Sequence, residues 1–471
     1  MLAVLLTSCI THPGVKLLIF EETSKPMKKV LKKIVPAIDE KQQLKALVEE
    51  LREKIEIKAR GYDERLYVRL LGSSARDTWL RDDKDIDFFL FFSEEYSKAK
   101  MEEIVTHIGR HVLEHSEKHY AEHPYIRGAY MGFDIEIVPC YAVSSPSSML
   151  SAVDRTPFHH DFVIKRIEGK ENDVRLFKQF LKGIGAYGAE ARVEGFSGYL
   201  CELLIIKFGS FEGLIEHVSK MKFGEVLGFG NIDKEKVKKF RGDALIFIDP
   251  VDANRNVASA LSRQKLALFI HASREYLKKP DEKFFFPEKR KIEAKFIVLK
   301  FRKRSSEIIA LSFHSPVVID DILYPQVKKT LKNLSKQLKL HGFSMLGGSY
   351  HVEKKITILF ELESLKLPEA KLHIGPGVAS VHENKFLEKY RKGERALCMP
   401  FIKDDRWAVY VRRKFSSAEK CLEHAVKEGL PRHILAAISK NYDIYTGGEV
   451  FERIDIKFLA DYFDPIFSWE Y

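Results

Sequence analysis

At 471 residues, with 45% hydrophobic and 11% aromatic residues, the chain is too long for one core and too apolar for disorder, so two to four globular domains are expected. Its 78 Lys and Arg exceed its 67 Asp and Glu, a formal net charge of +11 at pH 7, which favours a polyanionic partner. Five cysteines at 9, 140, 201, 398 and 421 are scattered without a Cys-x-x-Cys pair; this excludes a disulfide framework or zinc knuckle and fits a reducing cytoplasm.

Residues 1–10 are apolar but too short to span a bilayer, and no basic segment precedes them as in a signal peptide. Residues 1–27 therefore read as an N-terminal extension or an over-long gene start. Over 28–60, Val30, Leu31, Ile34, Val35, Leu44, Leu47, Val48 and Leu51 recur at helical spacing among Lys and Glu, which predicts two amphipathic helices. Strands follow at about 65–71, 85–92 and 132–138, with a helix over 98–119 that is charged on one face. Together these make residues 28–155 an α+β head in which a small sheet displays carboxylates.

Residues 171–183, 196–221 and 257–278 read as helices, so a second domain over 156–283 is expected to be mostly helical. The Lys279-Pro280-Asp281 break, followed by Phe284, Phe285, Phe286 and Pro287, marks its end. In the remaining 284–471, Ala294–Phe301, Glu307–Phe313, Thr357–Leu362 and Trp407–Val411 read as strands and Leu323–Leu340 as an amphipathic helix, an α+β tail. The fold class is α+β throughout. Residues 183–188, Gly-Ile-Gly-Ala-Tyr-Gly, match a dinucleotide fingerprint. What precedes them reads as a helix where that fingerprint needs a strand, so Gly183 and Gly185 read as a helix end and turn.

The chemistry concentrates in 72–92. A Gly72-Ser73 turn precedes Arg76, and Asp85 and Asp87 sit at the head of the run Ile-Asp-Phe-Phe-Leu-Phe-Phe. In a strand, residues i and i+2 share a face, so the two carboxylates project together while Ile86 turns to the core. Mutual repulsion makes such a pair a natural ligand for a divalent cation with hard oxygen ligands, Mg²⁺. The serine turn and the arginine suit phosphate oxygens. A metal–nucleoside triphosphate site then needs a third carboxylate nearby. Gly-Phe-Asp-Ile-Glu-Ile-Val-Pro-Cys at 132–140 supplies Asp134 and Glu136 on one face of another strand, with Pro139 expected to end it.

The pattern over 72–92 resembles the signature of the DNA polymerase β-like nucleotidyltransferase superfamily. Tyr-Ala-Glu-His-Pro-Tyr at 120–125, Val-Pro-Cys-Tyr at 138–141, Ala-Val-Asp-Arg-Thr-Pro-Phe-His-His at 152–160 and Lys-Glu-Asn-Asp-Val-Arg-Leu at 170–176 narrow it. So do Tyr-Gly-Ala-Glu at 187–190, Gly-Phe-Ser-Gly-Tyr-Leu-Cys-Glu-Leu-Leu at 195–204 and Asp-Pro-Val-Asp-Ala-Asn-Arg-Asn-Val-Ala at 249–258. With Leu-Tyr-Pro-Gln at 323–326 and Arg-Trp-Ala-Val-Tyr-Val-Arg-Arg-Lys-Phe at 406–415, the chain resembles the archaeal, class I CCA-adding enzymes from about residue 28 to 455. These are tRNA nucleotidyltransferases.

The resemblance implies a polymerase β-like head, a nucleotide-binding central domain and a tRNA-binding body and tail. It implies template-independent addition or repair of the tRNA 3′ CCA from CTP and ATP, by two-metal nucleotidyl transfer with Mg²⁺ and release of pyrophosphate. Asp85, Asp87 and Glu136 would hold the metals; the family usually has Asp where Glu136 stands, and Asp134 is the alternative third ligand. Ser73 and Arg76 would hold the triphosphate, Lys178 and Tyr187 would reach it from the second domain, and His159 would contact the nucleotide. Arg255 would read the base: cytosine and adenine both present a ring acceptor beside an amino donor, whereas uracil and guanine present the reverse. A fixed arginine donor, with a tRNA phosphate as the facing acceptor, would accept the first pair and penalise the second. The plainer reading of Arg255 pairs it with Asp249 or Asp252.

From Lys283 to Arg304, nine Lys/Arg stand against two Glu, interleaved with phenylalanines. The plain reading is a solvated strand edge; the family resemblance implies that this tail, with Lys300, Arg302, Lys303 and Arg304, grips tRNA phosphates in the acceptor and TΨC arms. The expected partners are tRNA, CTP and ATP, in the cytoplasm and without a membrane; a homodimer is left open. Two rivals share these residues: a poly(A) or oligoadenylate polymerase, and a catalytically weakened RNA-binding homologue, the latter suggested by Glu136.

Overall fold

The computed structural model describes residues 26–83, 85–120, 124–391 and 393–470, so all but the last two residues of the expected extension lie outside the described residues. Two compact units are present, one up to Lys289 together with the C-terminal residues from Phe467, the other Arg290–Ile466. The first holds the head and the helical region in one body.

The head opens with helical residues 26–34 (α1), whose Met27, Val30 and Ile34 are buried with the central helices. Helix α2 (Ile38–Arg60) starts where Glu40 reaches back to accept from the Ala37 amide at 2.6 Å. It buries Leu44, Leu47, Val48, Leu51 and Ile55, the spacing of a single apolar stripe. Strand β1 (Tyr67–Leu71), the short turn α3 (Gly72–Ala75), β2 (Asp85–Phe92), helix α4 (Lys98–Val112) and strands β3 (Glu114–Tyr120), β4 (Pro124–Tyr130) and β5 (Phe133–Tyr141) follow. The five strands make one sheet in the order β1-β2-β5-β4-β3, with β2 and β5 parallel and the other pairs antiparallel. Ile86, Phe88, Leu90, Ile135 and Ile137 fill the core between this sheet, α2 and α4.

Two expectations fail here. The helix expected over 98–119 stops at Val112, and 114–120 is the edge strand β3; charged residues that resemble a solvated helix face also suit an exposed edge. Strand β5 does not end at Pro139, which lies opposite Leu90 of β2. Pairing to β4 has already ceased at Ile137, so the ring needs no donor on that side.

The helical region comprises α5 (Arg155–Ile167), α6 (Glu171–Gly183), α7 (Gly198–Phe208), α8 (Phe211–Val218), the strands β6 (Val226–Leu227) and β7 (Ile246–Phe247), the short α9 (Lys234–Val237), and α10 (Arg263–Lys278). The expected helix over 196–221 is broken into α7 and α8 at Gly209, whose φ of +85° favours glycine. The helix expected from 257 begins at Arg263, where the Ser262 side chain accepts from the Lys265 amide. The Gly183–Gly188 segment follows helix α6 and is a turn. Phe284 and Phe285 pack with Phe180, Phe211 and Tyr276 in this core, so the chain passes to the second unit after Lys289 and not at 283.

In the second unit, Ala294–Arg302 is helix α11, where a strand was expected. The run reads either way, but Ile297 and Phe301, four apart, share the face packed on the cluster of Phe458 and Phe463. Strand β8 (Glu307–His314), helix α12 (Asp320–Leu340), strands β9 (Met345–Val352) and β10 (Lys355–Leu362), strands β11 (Ala370–Gly377), β12 (Phe401–Lys403) and β13 (Arg406–Arg412), and β14 (Asp443–Thr446) follow. They form a sheet ordered β14-β8-β10-β9 and a smaller one ordered β11-β13-β12. Among the described residues no helix is long and apolar enough to cross a membrane.

Candidate active site

The parallel register of β2 and β5 sets Asp85 opposite Asp134 and Asp87 opposite Glu136. Because Ile86 and Ile135 alternate into the core, all four carboxylates share the other face, on strands about 4.8 Å apart. Burial, and then the charge of Asp85, pushes Asp87 up to about 6. Burial, and then Asp87, pushes Glu136 up to about 7. Asp85 is raised in the same way. Acids that resist ionising beside one another are a donor set suited to a divalent cation. Glu136 is the more enclosed of the two candidate third ligands, its side chain 26% exposed against 54% for Asp134.

Gly72 is the residue this geometry requires. Its φ is +73°, and a Cβ there would run into the carboxylate of Asp87. The turn it opens carries Ser73, whose carbonyl accepts from the Arg76 and Thr78 amides at 3.3 and 3.0 Å. Arg76 is buried and pairs with Glu202 of α7: Nε donates to Oε1 at 3.0 Å, and Nη2 lies 2.9 Å from Oε2. Lys178 of α6, 2% exposed, donates to the Thr78 carbonyl at 2.9 Å, and burial lowers its pKa. A Cβ on Gly198 would lie 3.3 Å from the Tyr187 hydroxyl and 4.0 Å from Lys178 Nζ, so these two groups flank the first turn of α7. Burial also raises the Tyr187 pKa.

His159 and Arg255 meet at Asp249. The fully buried Asp249 carboxylate lies 2.9 Å from His159 Nε2 and accepts from Arg255 Nη1 at 2.8 Å and the Val251 amide at 2.9 Å. Burial would raise its pKa, but these donors, His159 first, outweigh that and lower it. The His159 ring stacks on Tyr199 with centroids 4.1 Å apart. The pairing of Arg255 with Asp249 is thus present, yet the Arg255 side chain remains 36% exposed, anchored at one edge and open at the other.

In the second unit, Arg302 and Lys303 are exposed and Lys300 is 2.9 Å from Asp464. Arg304 stays about a third exposed but is tied down: it donates to the buried Glu361 at 2.8 Å and to the Phe463 carbonyl at 3.0 Å. A separate cavity of about 380 Å³ beside β11 and β13 is lined by His341, Lys371, His373, Lys389, Arg412 and Lys414 among others.

Sequence reasoning missed two residues of the site, Arg127 and Glu202, and named Asp249 only as a possible partner of Arg255. Arg127 on β4 faces Glu136 across the ladder, with nitrogens 3.6 Å from Asp85, 3.4 Å from Asp134 and 3.9 Å from Glu136. Burial works against its charge, but Glu136, Asp134 and Asp85 outweigh that and raise its pKa. The alternation of Ile126, inward, with Arg127 was the available signal. Glu202 and Asp249 are acids within apolar runs, the pattern of a buried, paired carboxylate.

Residues 44–159 match the family described as nucleotidyltransferase domain, 172–286 the second domain of tRNA nucleotidyltransferase, and 304–447 the C-terminal domain of CCA-adding enzyme. The chain is 38% identical over 426 residues to a CCA-adding enzyme of Methanosarcina barkeri, covering 88% of this chain and 92% of that one. A CCA-adding enzyme of Archaeoglobus fulgidus is 35% identical over 432 residues, 91% of this chain and 95% of its own. One of Pyrococcus abyssi is 39% identical over 376 residues, 77% of this chain and 82% of its own. With three domain matches in order and such identity along nearly the whole chain, the protein belongs to the CCA-adding enzymes, tRNA nucleotidyltransferases.

Proposed function

We propose that the protein adds or repairs the 3′-terminal CCA of tRNA from CTP and ATP without a nucleic-acid template. The observation that carries this reading is the in-register pairing of Asp85 and Asp87 with Asp134 and Glu136 beside the Gly72–Arg76 turn. Asp85, Asp87 and Glu136 would hold divalent metal, which we take to be Mg²⁺ from the hard oxygen set. Bound there, the metal would make the RNA 3′-hydroxyl more acidic and neutralise charge on the departing pyrophosphate.

The protein's own groups position the reactants. Ser73 and Arg76 take the triphosphate from the head side, with Lys178 and Tyr187 across from them. Arg127, on the β4 side of the carboxylates, is placed away from the phosphate turn, where the RNA end would enter. Arg255 is held by Asp249 and presents its exposed edge to the base, beside His159. In the second unit, Lys300, Arg302, Lys303 and the basic cavity would hold tRNA phosphates, binding that responds to shape and salt more than to sequence. We place the reaction in the cytoplasm.

The test is incubation of the protein with tRNA lacking CCA and each nucleotide singly, then with CTP and ATP together. The expected result is two additions with CTP alone and three with both, then a stop. Extension by ATP alone without a stop indicates a poly(A)-type polymerase. Tight tRNA binding with no extension indicates an RNA-binding homologue.

A further inference from the structure

We propose that Glu202, a buried carboxylate on α7, is a positioning residue that presents Arg76 to the nucleotide triphosphate. The identity of that ligand rests on the functional reading above; the rest is geometry. Both oxygens of Glu202 are directed at the phosphate turn of the head. Oε1 accepts from Arg76 Nε at 3.0 Å and from the Thr78 hydroxyl at 2.6 Å, and Oε2 lies 2.9 Å from Arg76 Nη2. Glu202 and Thr78 are both 0% exposed and Arg76 is 8% exposed.

Nε is hydrogen-bonded to Oε1, while Nη2 faces Oε2 as an ion pair that makes no hydrogen bond. The N–H groups of Nη1 and Nη2 remain to donate elsewhere, and among the described residues no acceptor hydrogen-bonds them. The pair therefore fixes the plane of Arg76 and leaves those N–H groups for an anion. Without Glu202 a flexible arginine would bring the same charge but not the same direction.

The arrangement extends to Lys178. Lys178, on α6, donates to the carbonyl of Thr78, whose hydroxyl Glu202 accepts. Arg76 and Lys178 thus stand beside the buried Glu202, and both also favour the ionised form of the enclosed Asp87. Because Glu202 reaches the nucleotide only through Arg76, it acts on phosphate affinity for CTP and ATP alike and not on the choice between bases.

The test measures CTP and ATP binding by equilibrium dialysis with Mg²⁺ and no tRNA, for Glu202→Gln, Glu202→Asp, Arg76→Ala and each Glu202 variant combined with Arg76→Ala. Glu202→Gln should raise both nucleotide dissociation constants about tenfold or more by the same factor, and Glu202→Asp by less. In steady state the rise should appear in KM for both nucleotides more than in kcat. Glu202→Gln should add little once Arg76 is Ala, since positioning residues lose their effect with the residue they position. An unchanged dissociation constant in Glu202→Gln, or an undiminished effect in the Arg76→Ala background, overturns the proposal. Should Glu202→Gln fail to fold, Glu202→Asp and its double variant carry the same comparison. Wild-type protein that binds CTP but never extends tRNA overturns the functional reading and leaves the Glu202 comparison intact.

Discussion

Replacing Asp87 by Asn should stabilise the metal-free protein while ending catalysis. The ordinary Asp pKa of 3.8 is pushed up to about 6 by burial and by Asp85, a rise of about 2 units, and each unit corresponds to about 1.4 kcal/mol. At pH 8 the ionised Asp87 therefore costs the fold about 3 kcal/mol, which an uncharged Asn avoids. The sign follows from linkage. A carboxylate with a raised folded pKa binds protons more tightly folded than unfolded, so stability falls as pH rises from about 4 to about 6. The advantage of Asp87→Asn should be full at pH 8, partial at pH 5 and nearly gone at pH 4. Urea unfolding in EDTA measures it, with Trp79, 6% exposed in the head core, as the probe after Trp407 and Trp469 are replaced by Phe. Divalent metal should narrow or reverse the difference, because only the wild type binds it well. An Asp87→Asn protein no more stable than wild type at pH 8 in EDTA, or equally stabilised at every pH, would refute the reasoning.

The remaining predictions concern separate parts of the site. Gly72→Ala should keep the fold yet reduce turnover ~10²-fold or more by displacing the Asp87 carboxylate, a misplacement of the scale that mechanism tolerates poorly; circular dichroism and single-turnover addition read the two effects. Glu136→Asp should keep or raise turnover and Asp134→Asn should change it little, whereas loss of activity only in Asp134→Asn would move the third ligand to that residue. Arg255→Ala should lower the preference for CTP over UTP roughly ten- to hundredfold, the loss of one charged hydrogen bond, measured as competitive incorporation. Neutralising Lys300, Arg302 and Lys303 together should weaken tRNA binding and flatten its salt dependence by nearly one counterion per lost contact. Arg304→Gln should instead destabilise the second unit, since it strips Glu361 of its ion-pair partner.

The head was legible because two independent patterns coincide there. The period-2 alternation of Asp85–Ile86–Asp87 and Asp134–Ile135–Glu136 fixes which face each acid takes, and the apolar Phe88–Phe92 run demands a buried strand. What alternation could not give was register, since sliding β5 by two residues preserves every face. The pairing of Asp87 with Glu136 comes from the sheet as a whole. The same limit explains α11: Ala294–Phe301 satisfies both periods, and only Phe451 and Phe463, far along the chain, select the helix. Edge strand β3 was hidden for the opposite reason, having little apolar signal of either period.

Two residues that escaped notice, and Asp249, which the sequence offered only as a partner of Arg255, share a physical character. Glu202, Asp249 and Arg127 each act on another side chain and not directly on a strand or helix pattern. Glu202 stands 126 positions from Arg76 and Asp249 90 positions from His159, separations no local spacing encodes. Each is nonetheless a charged group in an apolar or half-buried setting, and a buried charge without a partner would cost several kcal/mol. Such a residue obliges the fold to bring an opposite charge to it. Arg76, His159 and Arg255, expected to hold the nucleotide, are the very groups these acids engage. Glu202 pairs with Arg76, proposed to hold phosphate, and Asp249 joins His159 to Arg255, proposed to read the base. A site of this kind therefore depends on the buried acids that orient its cations as well as on the cations themselves.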